Sequence, residues 1–252
     1  MSSCRRLALA GFGGMGRQHL RGCRVLQDLE PGRVKVAAVI DPVLERAEFV
    51  AGEAEELFGS RPQAYRSLED AIEGTTDFEV VDIVAAAADA GLHVLCKKPM
   101  APMVAACRAM QAAARRNGTV LSIAEDYRRN PISRLACALL KAGAIGDVHT
   151  VLNFSAGGGR RASAGGWQYL RKQGDALLES GVHNADMQMY LVGPVTQATT
   201  RVRLQEPKWV FKGTRVKAFH DHYADTYPDV QAADAPDFMM APIEFDSDAL
   251  GQ

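Results

Sequence analysis

The stretch LALAGFGGMG, residues 7–16, indicates how this chain folds at its start. Four apolar residues typical of a short buried strand lead directly to Gly11, Gly13 and Gly16, which match the pattern G-x-G-x-x-G. The first glycine allows a tight turn, the second lets backbone N–H groups approach a pyrophosphate, and the third lets strand and helix pack closely. Because a helical pattern follows, the stretch predicts the first strand and helix of a dinucleotide-binding domain.

A second apolar run, VKVAAVI at residues 34–40, ends at Asp41. A carboxylate at this position can accept hydrogen bonds from the adenosine ribose and would repel a 2′-phosphate, so we expect NAD rather than NADP. The alternative is that the glycines only make a tight connection between strand and helix. The residues expected to bind the cofactor here are Gly11, Phe12, Gly13, Gly14, Met15, Gly16 and Asp41.

Short β-type runs alternate with helical patterns through the first half of the chain, which is the signature of a parallel sheet. The runs EVVDIV (79–84) and HVLC (93–96) are two of the predicted strands. Farther along, the β-type runs are longer and alternate more openly, as in an antiparallel sheet. We predict an α/β protein with a Rossmann-type doubly wound parallel sheet over residues 1–124. An α+β domain with a mostly antiparallel sheet is predicted over residues 125–252.

Composition and charge exclude several classes of function. The chain of 252 residues is 47% hydrophobic and 23% charged, as in ordinary globular proteins. Its net charge of −1 gives no reason to expect nucleic acid or an anionic membrane as a partner. No apolar run approaches the roughly 20 residues that span a bilayer, and LALA is too short for a signal peptide. The 5 scattered cysteines favour reduced thiols, so we expect a cytoplasmic protein.

Five separated motifs occur in an order that resembles the Gfo/Idh/MocA oxidoreductases, the group of glucose–fructose oxidoreductase and inositol dehydrogenase. The resemblance implies NAD(P)-dependent oxidation or reduction of a secondary alcohol, usually on a sugar or cyclitol. It also implies a second domain whose open sheet often mediates oligomers, so we expect a polyol or sugar substrate and a homo-oligomer. The motifs are GFGGMG (11–16), VIDP (39–42), HVLCKKPMA (93–101), AGAIGDV (142–148) and ESGVHNAD (179–186).

The resemblance also implies residues for the chemistry. Lys98 matches the lysine of a Glu-Lys-Pro motif, which contacts nicotinamide ribose and substrate hydroxyl in the family. Glu179 and His183 stand where the family has an aspartate four residues before a histidine. Loss of hydride from an alcohol needs a base for the hydroxyl proton and a cation beside the oxygen, and His183 and Lys98 suit these roles. Since Glu179 and His183 are spaced i, i+4 on a helix, we expect the carboxylate to orient the imidazole.

Each of these side chains has an alternative interpretation. Lys98 could be a solvated charge at a strand end, His183 a helix histidine with satisfied hydrogen bonds, and Glu179 an exposed helix carboxylate. Asp186 either binds a substrate hydroxyl or caps the chain locally. The two histidines of FHDHY (219–223) have a spacing that zinc can use, but no third ligand is evident, and we expect no metal site.

The chain departs from the family pattern in three places. Lys97 stands where the family has glutamate, which reverses a charge beside Lys98. Only AAAADAGL (85–92) separates two predicted parallel strands, although such a crossover needs a dozen residues or more. The run IEFDSDALGQ (243–252) resembles a strand, turn and strand after which relatives continue. Either the chain lacks these segments or the sequence is part of a longer one.

The sequence therefore predicts an NAD-dependent dehydrogenase acting on CH–OH groups of a sugar-like substrate, which Lys98, His183 and Asp186 bind. The Lys97 exchange and the short crossover favour an alternative, a catalytically weak or inactive dinucleotide-binding relative such as a cofactor sensor. A third hypothesis is an interaction module whose second-domain sheet pairs with another chain.

Overall fold

The computed structural model describes residues 4–72, 80–155, 166–171, 176–211 and 228–252. Two compact units divide these residues, and the chain passes between the units more than once. The first unit takes in Met1–Val94 and Cys107–Leu121, and the second takes in Leu95–Ala106, Ser122–Arg215 and Asp225–Gln252. In the part of the chain that the structure describes, no helix combines the length and the apolar character needed to cross a membrane.

The first unit is built on a parallel sheet in the order β1-β2-β3. Strands β1 and β2 pair from Arg5 with Val34 to Ala10 with Ile40. Each connection passes through a helix, as pairing between parallel strands requires. The predicted Rossmann-type parallel sheet is thereby confirmed. The elements are β1 (Arg5–Ala10), α1 (Gly14–Leu29), β2 (Val34–Ile40), α2 (Leu44–Phe58) and β3 (Gln63–Tyr65).

The core of the first unit lies where α1 and α2 pack against β2. Val39 of β2 and Leu20 of α1 are almost completely buried, together with Val50 of α2. Small residues of α2, Ala47 and Ala54, are fully buried in the same cluster and let the helix lie close to the sheet. Truncating a buried leucine such as Leu20 to alanine costs about 2–5 kcal/mol of folding free energy.

The predicted strand EVVDIV is wrong, because residues 80–89 form a helix, α4 (Val80–Asp89). Ile83, Ala86 and Ala87 follow helical spacing and pack in one cluster with the end of β2. The alanine run of this segment favours a helix, and a short apolar run alone does not distinguish a buried strand from a buried helix. The eight residues that were too few for a crossover are therefore taken up by α4, the turn after it and the approach to the next strand. A short helix, α3 (Leu68–Ile72), precedes α4.

The predicted strand HVLC is confirmed as β4 (Val94–Lys97), which forms a two-stranded sheet with β5 (Leu121–Ala124). Helix α5 (Val104–Arg116) connects them and stops at Gly118, whose φ of +63° ends the helix. β4 ends at Lys97, so the next residue, Lys98, stands just beyond a strand end.

The helices of the second unit follow the predicted patterns. After a 3-10 turn at Tyr127–Arg129, α6 (Pro131–Lys141) begins with a proline in its first turn. The Asn130 side chain accepts a hydrogen bond from the Ile132 N–H at 3.0 Å and caps this helix. The later helix is α7 (Ala176–Leu191), which carries Glu179, His183 and Asp186.

The sheets of the second unit are mainly antiparallel, which confirms the predicted fold class. A four-stranded sheet has the order β6-β13-β12-β7, in which β13 and β6 form the parallel pair. Among the described residues, β9 pairs with β10 and β8 pairs with β11 in separate two-stranded antiparallel sheets. The strands are β6 (Thr150–Val151), β7 (Val195–Ala198), β8 (Arg201–Arg203), β9 (Lys208–Val210), β10 (Val230–Ala232), β11 (Phe238–Met240), β12 (Ile243–Phe245) and β13 (Leu250–Gly251).

Candidate active site

The turn between β1 and α1 has a backbone that depends on its glycines. Gly11 has a φ of +82°, which is left-handed. A Cβ on Gly16 would lie 2.0 Å from the Gly11 carbonyl oxygen, so glycine alone fits there, whereas a Cβ on Gly13 would meet nothing within 4 Å. Helix α1 begins at Gly14 and has no acidic residue in its first turn. The first N–H groups of a helix favour anions, so this turn fits a pyrophosphate.

Two other residues of this turn were expected to bind the cofactor. The Phe12 side chain is buried in the core of the first unit. Met15 is exposed in the first turn of α1. Phe12 therefore contributes its side chain to packing, and its backbone remains part of the glycine turn.

Asp41 ties the glycine turn to the end of β2. Its carboxylate oxygens accept hydrogen bonds from the backbone N–H groups of Phe12 and Val43, each at 2.9 Å, and the residue is only 4% exposed. Its own N–H donates to the carbonyl oxygen of Tyr65 at 3.0 Å. Asp41 thus has a structural task that the sequence did not reveal, and its contact with an adenosine ribose stays a prediction.

Lys98 is held by Glu179 of α7. The Lys98 Nζ lies 2.6 Å from Glu179 Oε1 and 2.8 Å from the Glu179 carbonyl oxygen, and the two side chains are 14% and 15% exposed. Lys97 also approaches Oε1, with its Nζ at 3.7 Å, and is 35% exposed. The Glu179 Oε2 is buried and has no hydrogen-bond partner within the described ranges. One carboxylate therefore serves two ammonium groups, which leaves a net positive charge at the end of β4.

His183 is held by a residue that the sequence did not single out, Glu125. The His183 Nδ1 lies 2.7 Å from Glu125 Oε1, and both residues are buried, at 8% and 7% exposure. The same Oε1 accepts the Tyr127 backbone N–H at 3.1 Å. The Tyr127 ring stacks on the imidazole, with ring centroids 4.1 Å apart and an angle of 9° between the planes.

The prediction that the Glu179 carboxylate orients the His183 imidazole is wrong. The i, i+4 spacing places both residues on one face of α7, but the Glu179 carboxylate lies against two lysines and the imidazole lies against Glu125. The Glu179 carboxylate gains more from contacts with two ammonium groups than from a contact with one imidazole. Glu125 is 58 residues away from His183 along the chain, so no local spacing indicates it.

Asp186 forms an ion pair with Arg128. The Arg128 Nε donates to Asp186 Oδ2 at 2.7 Å, and a second bond joins the guanidinium to Oδ1. The hydrogen bond to Asp186 raises the pKa of Arg128 above its usual value. This two-point contact joins α7 to the 3-10 turn, so Asp186 has a local structural role, and its contact with substrate stays a prediction.

Two family models together match almost the whole chain. The model described as "Oxidoreductase family, NAD-binding Rossmann fold" matches residues 5–125, and "GFO/IDH/MocA C-terminal domain" matches residues 133–252. The chain belongs to the Gfo/Idh/MocA oxidoreductase family. The family expected from the five sequence motifs is thus confirmed.

Relatives in the Gfo/Idh/MocA family are longer than this chain. Rhizopine catabolism protein MocA of Rhizobium meliloti is 29% identical over 217 residues, covering 82% of this chain and 62% of the relative. D-apiose dehydrogenase of Paraburkholderia graminis is 32% identical over 214 residues, covering 77% of this chain and 52% of the relative. A structure of levoglucosan dehydrogenase with NADH and L-sorbose matches with a TM-score of 0.75 at 24% identity, covering 99% of this chain and 65% of that one. This chain therefore spans about half to two thirds of the length of these proteins.

The sequence-predicted residues of this family member fall into two groups. The glycine turn and Asp41 belong to the first unit, whereas the second unit holds the catalytic candidates and Asp186.

Glu125, Asp126 and His183 each have a side-chain atom that could bind a metal ion, and these atoms lie within 4.8 Å of one another. Because the His183 Nδ1 is hydrogen-bonded to Glu125, a metal ion would have to displace that bond. The histidine pair of FHDHY lies outside the described residues.

Proposed function

We propose that this protein is an NAD-dependent dehydrogenase that acts on a secondary alcohol of a sugar, cyclitol or similar polyol. The observation that carries the proposal is that Lys98 and His183 each contact their own carboxylate, Lys98 in a partly buried pair and His183 in a buried one. Membership of the Gfo/Idh/MocA family supports it, as does similarity to relatives named D-apiose dehydrogenase and levoglucosan dehydrogenase.

In this proposal, the Lys98 ammonium stabilises negative charge that develops on the alcohol oxygen. The His183 Nε2 accepts the hydroxyl proton as the C–H hydride leaves, and the product is a ketone. NAD, when bound, accepts the hydride. Glu179 holds Lys98 in place, and Asp186 completes the group proposed to bind substrate.

The proposed cofactor residues are those of the glycine turn, Gly11 to Gly16, together with Asp41 and Lys98. The open space at Gly13 and the start of α1 at Gly14 support a pyrophosphate at this turn. NAD is favoured over NADP because a carboxylate at position 41 would repel a 2′-phosphate.

A second candidate function is a dinucleotide-binding relative with little or no activity. Lys97 favours it, because its ammonium competes with Lys98 for Glu179. The short stretch AAAADAGL (85–92) also favours it, because the family resemblance implies a loop beside the nicotinamide in this interval and few residues are present to form one. Both candidates bind NAD, so only turnover separates them.

Two further proposals concern assembly and location. Strands β8 and β11 expose Val202, Phe238, Met239 and Met240, which supports a homo-oligomer formed through the second-domain sheet. All five cysteines carry free thiols, which supports the reducing environment of the cytoplasm.

Calorimetric titration with NAD and NADP, followed by a panel of polyols, sugars and inositols, tests the proposal. We expect binding of NAD and the absorbance of NADH with at least one alcohol of the panel. Binding without turnover across the panel favours the inactive relative. Absence of heat with either coenzyme contradicts both candidates and favours the interaction module.

A further inference from the structure

We propose that Glu125 is a positioning residue for His183, whose carboxylate fixes the imidazole in the tautomer that leaves Nε2 unprotonated. The catalytic meaning of this tautomer rests on the proposed function, in which His183 accepts the alcohol proton. The tautomer itself is a property of the folded chain and can be measured without substrate.

The hydrogen bonds of Glu125 determine which ring nitrogen carries the proton. Its Oε1 lies 2.7 Å from His183 Nδ1 and also accepts the Tyr127 backbone N–H at 3.1 Å. An ionised carboxylate accepts hydrogen bonds and donates none, so Nδ1 must be the donor. In a neutral imidazole that has its proton on Nδ1, the Nε2 atom is the acceptor.

Tyr127 restrains the ring in a second direction. Its ring lies nearly parallel to the imidazole, with centroids 4.1 Å apart, so it restricts tilting out of the plane. The Glu125 contact restricts rotation within the plane. Since both contacts come from the stretch Glu125–Tyr127, one short turn of the chain orients His183.

The other carboxylates near His183 do not replace Glu125. Glu179, one helical turn earlier in α7, has its Oε1 against Lys98 and Lys97. The Asp126 Oδ1 is 4.0 Å from His183 Nδ1, beyond hydrogen-bond distance, and its side chain is exposed. Glu179, which is partly buried, therefore binds the lysines, and the buried Glu125 binds the histidine.

Nitrogen-15 NMR of the histidine rings tests the inference in the whole chain. The His183 signals are assigned by their loss in His183→Gln. We expect the wild-type protein near neutral pH to show a protonated Nδ1 and an unprotonated Nε2. In Glu125→Leu, no carboxylate oxygen accepts the Nδ1 proton, so the signals should shift toward the other tautomer.

Asp126→Asn is the matched control, because it removes a neighbouring charge that makes no hydrogen bond to the ring. It should leave the His183 signals unchanged. A wild-type protein with a proton on Nε2, or a Glu125→Leu variant with unchanged His183 signals, would overturn the inference. Should Glu125→Leu fail to fold, the wild-type tautomer decides alone.

Kinetics supply the catalytic half of the test. If the proposed function holds, Glu125→Leu should lower kcat by up to about 10²-fold, within the range of acid–base catalysis, and leave the KM for NAD nearly unchanged. The Asp126→Asn variant should keep its kcat. An unchanged kcat in an active Glu125→Leu enzyme overturns the positioning role. If no alcohol is oxidised by the wild-type protein, the proposed function fails and the NMR result still decides the tautomer.

Discussion

Lys98 and Lys97 approach the same oxygen of Glu179, at 2.6 and 3.7 Å. The nearer lysine is also the more buried, so its ammonium is the better fixed of the two. A fixed charge stabilises a developing oxyanion better than a mobile one, because it needs no reorganisation during the reaction. Lys97 and Lys98 are therefore expected to have different roles, although they are adjacent lysines at the same strand end.

Replacing Lys98 with methionine should remove most turnover and leave NAD affinity within a modest factor. The alkyl chain keeps the packing while the charge beside the alcohol oxygen is lost, and a loss of about 10²-fold or more in kcat is expected. Steady-state kinetics and calorimetry measure the two quantities. Lys97→Met is the matched control and should retain most of kcat. Equal losses in both variants would remove the special role of Lys98.

Replacing Asp41 with serine should change both stability and coenzyme choice. The buried N–H group of Phe12 and the partly buried N–H group of Val43 lose their acceptor. A buried group that stays unsatisfied costs about 1–3 kcal/mol. Loss of the carboxylate also removes the repulsion of a 2′-phosphate, so the ratio of NADP to NAD affinity should rise. Thermal unfolding and calorimetric titration measure these effects. An unchanged ratio of NADP to NAD affinity would show that Asp41 does not bind the adenosine ribose, even if the variant is less stable.

At the scale of elements, the glycine turn was predictable because its signal is local. The pattern G-x-G-x-x-G, with a strand before it and a helix after it, is enough to predict the turn. Gly11 has the left-handed backbone of the predicted turn, and Gly16 lies against the Gly11 carbonyl group as the predicted close packing requires. The segment 79–84 was not predictable from its own residues. Its apolar run suits a buried strand and a buried helix alike, and the alanines that follow decide for a helix.

Gly16→Ala tests the glycine turn as an element. Its Cβ would lie 2.0 Å from the Gly11 carbonyl oxygen, so the turn must open and NAD affinity should fall by more than about tenfold, which corresponds to about 1.4 kcal/mol. Gly22→Ala, in the same helix with nothing within 4 Å of the new Cβ, is the control. It should raise stability by about 0.5–1 kcal/mol and keep NAD affinity. Equal NAD affinity in both variants would show that the turn does not hold the coenzyme.

For the whole molecule, the order of a parallel-sheet part and a mainly antiparallel part could be predicted, because each type of sheet leaves its own pattern along the chain. The pairing of Glu125 with His183 could not, because it joins residues 58 apart through the packing of the second unit. The same holds for Arg128 with Asp186, also 58 apart. Charge and spacing indicate candidates, and only the fold assigns their partners.

Assembly belongs to the same scale. Phe238 and Met240 alternate with Met239 along β11, so they project from one face of its pair with β8. If this sheet forms the oligomer, Met240→Asp should lower the mass measured by light scattering. Leu29→Asp, at an apolar position of the first unit that is even more exposed (76% against 45% for Met240), should not change it. A wild-type monomer, or an unchanged mass in Met240→Asp, would contradict assembly through this face.

Transfer of deuterium tests the central claim most directly. An alcohol that the protein oxidises in the panel of polyols, sugars and inositols is prepared with deuterium on its carbinol carbon. It is incubated with the protein and NAD, and the mass of the reduced coenzyme is measured by mass spectrometry. We predict one deuterium in each molecule of reduced coenzyme, formed by the wild-type chain and strongly diminished in Lys98→Met. Reduced coenzyme without the label, or labelled coenzyme formed equally well without the Lys98 ammonium, would contradict the account.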